Sequence, residues 1–262
     1  MKALILNSGV GRRMGVLTSE HPKCMTEIAP GETILSRQLR LLARCGIREA
    51  VITTGLFDSV LRDYCRSLEL PLEISFVFNP DYAETNYIQS IRCAEPLLRG
   101  GDIVLMHGDL VFEQGVLGRV LASPVSCMTV SSTLPLPQKD FKAVVQDGRV
   151  KKVGIEFFDD ALTAQPLYKL LRRDWLMWLD KICEFCDGGQ RKCYAENAFN
   201  TISDECEVYT MDFKDKLCAE IDTPEDMEAV SRQLAGTAER SVYMCFSADM
   251  LHSGHMAIIK KA

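Results

Sequence analysis

The side chains best suited to chemistry crowd the first 25 positions of this chain. An apolar run, Ala3–Asn7, opens into Ser8-Gly9-Val-Gly11-Arg12-Arg13-Met14, and Leu17-Thr18 and Pro22-Lys23 follow. Backbone N–H groups of a glycine loop can point at phosphate oxygens, and Arg12, Arg13 and Lys23 add fixed positive charge. Such a loop suits the cradling of a nucleoside triphosphate. It lacks the Gly-Lys-Ser/Thr ending of a Walker A loop and the full G-x-G-x-x-G spacing of a dinucleotide fold. A glycine-rich surface turn with solvated charges is the plain alternative, and the continuation through Lys23 favours the nucleotide site.

Two acidic positions are candidate metal ligands. Asp109 follows a short apolar run in Gly108-Asp109, which would set its carboxylate at a sheet edge above the glycine loop. In Glu220-Ile221-Asp222, strand alternation would turn both carboxylates to one side. Asp109 also reads as a turn aspartate, and Asp222 as a cap for the helix opened by Thr223-Pro224. Tyr194-Ala-Glu196 offers a carboxylate beside a Tyr face, which suits an ammonium group; an exposed helix start would look the same. By default, His21 and His107 take loop and core roles. Trp175 and Trp178, at helical spacing, read as core.

Elements that could position these residues alternate along the chain. Strands are expected at Ala3–Asn7, Ala50–Thr54, Ile74–Phe78 and Asp102–His107, with helices at Thr33–Cys45, Ser59–Leu68 and Asn86–Leu98. That βαβ repetition implies an α/β fold: a largely parallel sheet, helices on both faces, and the loops after Asn7, Asn79 and His107 along one edge. Asp147-Gly148 between β-like runs predicts a hairpin. Pro166–Cys186 reads as a helix, Glu207–Phe213 as a strand, and Thr223 as the N-cap of a final helix ending near Gly236.

Composition narrows the class. The 262 residues carry a net charge of −6, which argues against general nucleic-acid binding but leaves room for a local basic pocket. No apolar run approaches the roughly 20 residues of a membrane span, and the first strand is too short for a signal peptide. A cytoplasmic protein is expected. The 11 cysteines read as reduced, buried side chains. Cys183 and Cys186, with Cys193 and Cys206, leave a zinc site open.

The N-terminal motif resembles that of nucleotidyltransferases making activated sugars and alcohols, through Gly9, Gly11, Arg13, Met14, Leu17, Thr18, Pro22 and Lys23. Asn7 and Ser8 depart from the usual small apolar pair, and Arg12 stands where Ser or Thr is common. Asn79-Pro80, Tyr82, Thr85, Asn86 and Ser90 are similar to a segment of the cytidylyltransferases for phosphocholine and 2-aminoethylphosphonate, with Tyr87 replacing a second Asn. Thr85 or Asn86 would equally serve as a plain N-cap.

The resemblance covers about residues 1–235, and residues 1–236 are expected to form one nucleotidyltransferase domain. It implies a Rossmann-like, mostly parallel twisted sheet with flanking helices and a small β-hairpin/helical substrate subdomain. It implies CTP held by Asn7, Ser8, Gly9, Gly11, Arg12, Arg13, Asn79, Thr85, Asn86, Ser90 and Gly108. Mg²⁺ would sit on Asp109 and Asp222 with Glu220, catalysis would fall to Lys23 and Arg13, and Tyr194 and Glu196 would bind the acceptor.

The implied reaction transfers CMP from CTP to 2-aminoethylphosphonate and releases pyrophosphate. Phosphocholine is the first alternative; a hexose 1-phosphate transferase, a non-catalytic CTP-binding module and a structural module are the others. Residues 237–240 read as a linker. Within 241–262, His252-Ser-Gly-His255 resembles a segment preceding some phosphoenolpyruvate mutases, so a second domain is expected to begin there, fused to further C-terminal domains.

Overall fold

The protein is described here by a computed structural model covering residues 1–9 and 11–236, without the side chains of Arg12 and Val16. The linker and the His252/His255 segment lie outside the described residues. In chain order the elements begin with β1 (Lys2–Leu6), 3₁₀ turns at Arg12–Thr18 and Lys23–Met25, β2 (Glu27–Ala29), β3 (Glu32–Thr33) and α1 (Ile34–Arg44). They continue through β4 (Glu49–Thr54), α2 (Asp58–Ser67), β5 (Glu73–Phe78), α3 (Tyr87–Leu98), β6 (Ile103–His107), β7 (Leu110–Phe112) and α4 (Gln114–Ala122). Next come β8 (Cys127–Ser131), β9 (Lys142–Gln146), β10 (Arg149–Gly154), β11 (Ala161–Leu170) and α5 (Arg172–Asp187). The last are α6 (Ala195–Phe199), β12 (Tyr209–Asp212), β13 (Cys218–Glu220) and α7 (Pro224–Gly236).

Nine strands form one sheet in the order β5-β4-β1-β6-β11-β8-β12-β10-β9. The first four run parallel, as the βαβ pattern requires, so their carboxyl ends share one edge. Beyond β6 the sheet is mixed: β11 runs antiparallel to both β6 and β8, and β12 returns parallel to β8. Strand alternation divides the core. Leu4 and Leu6 face α3, α5 and α6, while Ala3 and Ile5 face α1, α2 and α4. Apolar residues on every face of β1 are thus explained by burial on both sides.

Thr33 caps α1 through a reciprocal pair with Ser36, and Thr223 Oγ1 accepts the Asp226 N–H at the start of α7. Asp147 and Gly148 both have positive φ, 52° and 75°, and close the expected two-residue hairpin between β9 and β10. That hairpin joins the main sheet through β12 and β11, and α6 packs beside it.

One element differs from the sequence reading. Pro166–Leu171 is not helical: β11 runs to Leu170, and α5 begins at Arg172. Leucines at 167, 170 and 171 fit either period over so short a window. In the structure Leu167 faces one core and Tyr168 and Leu170 the other, and Pro166 sits at a break in the ladder to β8, where its missing N–H is tolerated. Trp175 and Trp178 are core as expected. Their indole N–H groups donate to Leu98 O at 2.8 Å and Ala195 O at 2.9 Å.

Candidate active site

The parallel strand ends position the site. The Asn7 N–H donates to the Thr53 Oγ1 at 3.1 Å, tying the start of the glycine loop to β4. Ser8 Oγ meets Ser90 Oγ at 2.5 Å, and Asn79 Nδ2 donates to Ser90 Oγ at 3.0 Å and Thr85 Oγ1 at 3.2 Å. Asn86 accepts the Tyr87 N–H at 2.7 Å and caps α3. Asn79 and Ser90 are buried and spend their hydrogen bonds on this scaffold, whereas Ser8, Gly9, Thr85 and Asn86 line the adjoining cavity. Expected as nucleotide contacts, Asn79 and Ser90 are placed here as braces for the loops that line the cavity. On β6's exit, a Cβ at Gly108 would collide with the Asn7 carboxamide, so any other residue there would push that side chain aside. Thr18 Oγ1 donates to Gly11 O at 3.1 Å and closes the turn.

At the centre lies Lys23. Its Nζ is 2.6 Å from Asp109 Oδ2 and 2.6 Å from Asp222 Oδ1, and Arg13 Nη1 reaches Asp222 Oδ2 at 2.8 Å. Burial would raise the Asp109 carboxyl, but the Lys23 and His107 charges outweigh it and hold it below the usual carboxylate range. Burial likewise would lower Lys23, and its two carboxylate partners reverse that and raise it. Beside them, His107 Nδ1 meets Glu220 Oε1 at 2.9 Å. Burial and the neighbouring Asp109 charge push Glu220 up to about 7, against the pull of His107. His107 is itself raised, its burial being outweighed by Glu220. Asn7 Nδ2, His107 Nε2 and Asp109 Oδ1 are shut from water without a hydrogen-bond partner.

Two cavities meet here. One, of about 250 Å³, is lined by the glycine loop, Arg13, Lys23, Gly108, Asp109 and Asp222. The other, of about 340 Å³, shares Arg13, Asp109 and Asp222 with it and adds Tyr87, His107, Asp140, Phe141, Tyr194 and Glu220. Its rings pack edge to face: Tyr87 on His107 at 4.7 Å and Phe141 on Tyr194 at 5.1 Å between centroids.

Tyr194, expected at the acceptor, lines this cavity. Glu196 does not: it is 1% exposed, absent from the cavity wall, and its carboxylate accepts from the Tyr87 and Tyr168 hydroxyls, the latter at 2.9 Å. The α6 start that carries it packs against α5 and β10, and Tyr87 from α3 and Tyr168 from β11 reach its carboxylate, so it is a buried brace behind the rings. His107, assigned by default to the core, is in the site. It lies two residues before Asp109 at a strand end, and that spacing is the signal that would have found it. Tyr87 and Phe141 were missed as wall residues.

Arg12 lies beside Arg13, but its side chain is outside those described. Among the described residues, the grouping of three or more potential metal ligands is His107, Asp109 and Glu220, and the cysteines form none. Cys186 is a buried side chain of α5, its thiol pushed up to about 12 by burial, and Cys206 Sγ donates to Asp174 O.

Several known proteins are similar to this chain. A CMP-5'-(3-aminopropyl)phosphonate synthase from Streptomyces rubellomurinus is 35% identical over 136 residues, 52% of this chain and 21% of that protein. A CTP:phosphoglutamine cytidylyltransferase from Campylobacter jejuni is 26% identical over 58% of this chain and 62% of its own length. The chain thus spans less than two thirds of either relative. Among solved structures, the inositol-1-phosphate CTP transferase from T. maritima superposes with a TM-score of 0.74 at 20% identity, over 92% of this chain and 98% of that one, which shows the shared fold. A family profile matches residues 3–184, and with the strand-end glycine loop and its joined cavities in view, the chain belongs to the MobA-like NTP transferase domain family.

Proposed function

We propose that this protein transfers CMP from CTP to a small acceptor carrying a phosphonate or phosphate at one end and an amine cation at the other. The observation that carries the reading is Lys23 gripping Asp109 and Asp222 where the phosphate-sized and ring-lined cavities meet. An acceptor oxygen attacks the α-phosphorus, the bond from that phosphorus to the bridging oxygen breaks, and pyrophosphate leaves with the electron pair. The acceptor is already anionic, so alignment and charge neutralisation suffice. The glycine-loop amides orient the triphosphate, Arg13 holds its outer phosphates, and Lys23 stabilises charge growing on the α-phosphoryl oxygens. Oxygen donors suit Mg²⁺, and the unpartnered buried Asp109 Oδ1 fits such a ligand. Asp109 and Asp222, with Glu220 adjoining, would hold the ion, whose charge would neutralise the phosphate oxygens.

The rings of Tyr87, Phe141 and Tyr194, with Asp140 at the same wall, suit an ammonium group. Among such acceptors 2-aminoethylphosphonate is favoured, since the Streptomyces relative's name gives it an aminoalkylphosphonate product; phosphocholine is the alternative. The test is pyrophosphate release with Mg²⁺ across CTP, UTP, ATP and GTP, each with 2-aminoethylphosphonate, phosphocholine or glucose 1-phosphate. CTP with the aminophosphonate should turn over fastest, and Asp109→Asn should abolish it. Preference for UTP with glucose 1-phosphate would replace the reading with a hexose transferase, and nucleotide binding without release would leave a binding module.

A further inference from the structure

Among the described residues the main sheet has one open end. Its far end closes on itself, because β9 pairs with β10 and also turns back onto β11, while β5 pairs with β4 alone. The Glu73 N–H donates to Arg48 O at 2.8 Å and the Asn79 N–H to Thr54 O at 3.0 Å, with no register shift between them. Successive residues of a strand turn their backbone groups to opposite sides. Glu73, Ser75 and Val77 therefore bond to β4, and Ile74, Phe76 and Phe78 turn their N–H and C=O groups outward. Edges are usually blunted by Lys, Pro, a bulge or a cover; Ile74–Phe78 has no Lys, no Pro and no bulge. Ile74 and Phe76 pack toward α2, where a cavity of about 480 Å³ lies beside the edge, lined by Arg62, Cys65, Leu70, Leu72, Ile74 and Phe76. Phe78 shares that face by alternation and is 44% exposed.

We propose that β5 is the seam of a two-fold dimer of this chain, the two copies of the strand pairing antiparallel into one continuous sheet. A two-fold axis normal to the sheet keeps the α2 faces of both copies on the same side. Outward residues then oppose outward residues. Centred on Phe76, the register sets Phe76 opposite the partner's Phe76 and Ile74 opposite the partner's Phe78, and about six backbone hydrogen bonds close. It also carries each exposed Phe78 ring over Ile74 of the other copy, beside the apolar cavity that Ile74 lines. An aromatic ring across from a β-branched side chain is a favourable cross-strand pair. The charges permit the approach. Glu73 falls opposite the partner's Asn79 rather than the partner's Glu73. Arg62, whose guanidinium lies 4.9 Å over the Phe76 ring, is already paired with Asp58 at 2.8 Å. None of this depends on the proposed reaction.

The test is sedimentation velocity of the full chain over about a hundredfold dilution, where dimer should give way to monomer, since a dimer's population follows chain concentration. Phe78→Lys removes two cross-strand pairs per dimer and should weaken association by about tenfold or more. Leu134→Lys, at a similarly exposed position in the loop after β8, should sediment as wild type. Hydrogen exchange of the wild type, read residue by residue by NMR, does not require any variant to fold. The Ser75 and Val77 amides, bonded to β4, should be protected in dimer and monomer alike. The Ile74, Phe76 and Phe78 amides should be protected in the dimer and exchange freely in the monomer. A monomer at every concentration, a dimer undisturbed by Phe78→Lys, or a dimer whose Phe76 amide exchanges freely would each overturn the proposal. So would protection of Ile74, Phe76 and Phe78 in a monomeric sample, which would mean that another segment of the same chain covers the edge.

Discussion

Replacing Glu220 with Gln should flatten the pH dependence of stability. In the folded protein burial and the Asp109 charge push Glu220 up to about 7 from an ordinary 4.5. An acid with a raised folded-state value keeps its proton in the folded state while the unfolded chain loses it, so stability falls as pH rises from about 4.5 to about 7. At about 1.4 kcal/mol per unit, the loss over that window is on the order of 3 kcal/mol. His107 acts in the same direction: its folded value is raised, so its contribution is present below the ordinary His range and is lost as pH climbs through the folded value. Glu220 is the largest raising influence on His107, ahead of Asp109 and Glu196, so Glu220→Gln removes the first shift and weakens the second. Asp109 has the opposite sign. Its value is depressed, so its contribution is lost only on acidification, and that limb should survive the substitution. Urea unfolding at intervals from pH 5 to 8, in metal-free buffer, should show wild type losing roughly 3 kcal/mol across the range and the variant losing much less. Parallel profiles would refute the assignment of Glu220 as a strained buried acid.

Three further substitutions test other contacts. Gly108→Ala drives a methyl into the Asn7 carboxamide and should destabilise by about 1–3 kcal/mol, with KM for CTP rising, as read by thermal unfolding and initial rates. Glu196→Leu strips the Tyr87 and Tyr168 hydroxyls of their acceptor and should cost about 1–3 kcal/mol, with KM for the acceptor rising more than KM for CTP; Glu196→Gln should recover much of both. Trp178→Ala empties a fully buried position between Tyr168, Trp175 and Phe199 and should cost about 3–5 kcal/mol in denaturant unfolding.

The local parts of the site were legible because their signals are local. An apolar strand ending in glycines, a Gly-Asp after another strand, and an Asp-Gly hairpin each occupy a few consecutive residues. What joins them is not local: Lys23 and Asp222 are 199 positions apart, and Tyr87 and Glu196 are 109 apart. No periodicity encodes that meeting; the stacking order of β1, β6 and β13's partner β7 does. The parallel half of the sheet followed from βαβ repetition, whereas the antiparallel course of β11 was hidden by leucines that suit helix and strand alike. Glu196 was misplaced for a related reason. Its position at a helix start suggests exposure, and only the packing of α6 on α5 and β10, with Tyr87 and Tyr168 on its carboxylate, buries it.

The most direct test of the account is the rate of pyrophosphate release from CTP and 2-aminoethylphosphonate in wild type and Lys23→Met. Among the described residues, Lys23 is the one side chain paired with both acids at the meeting of the two cavities. If it stabilises charge growing on the α-phosphoryl group, kcat should fall by about 10²–10³, the usual cost of removing such a donor, while the folded state persists by circular dichroism. A folded Lys23→Met protein that releases pyrophosphate at the wild-type rate would contradict the central claim.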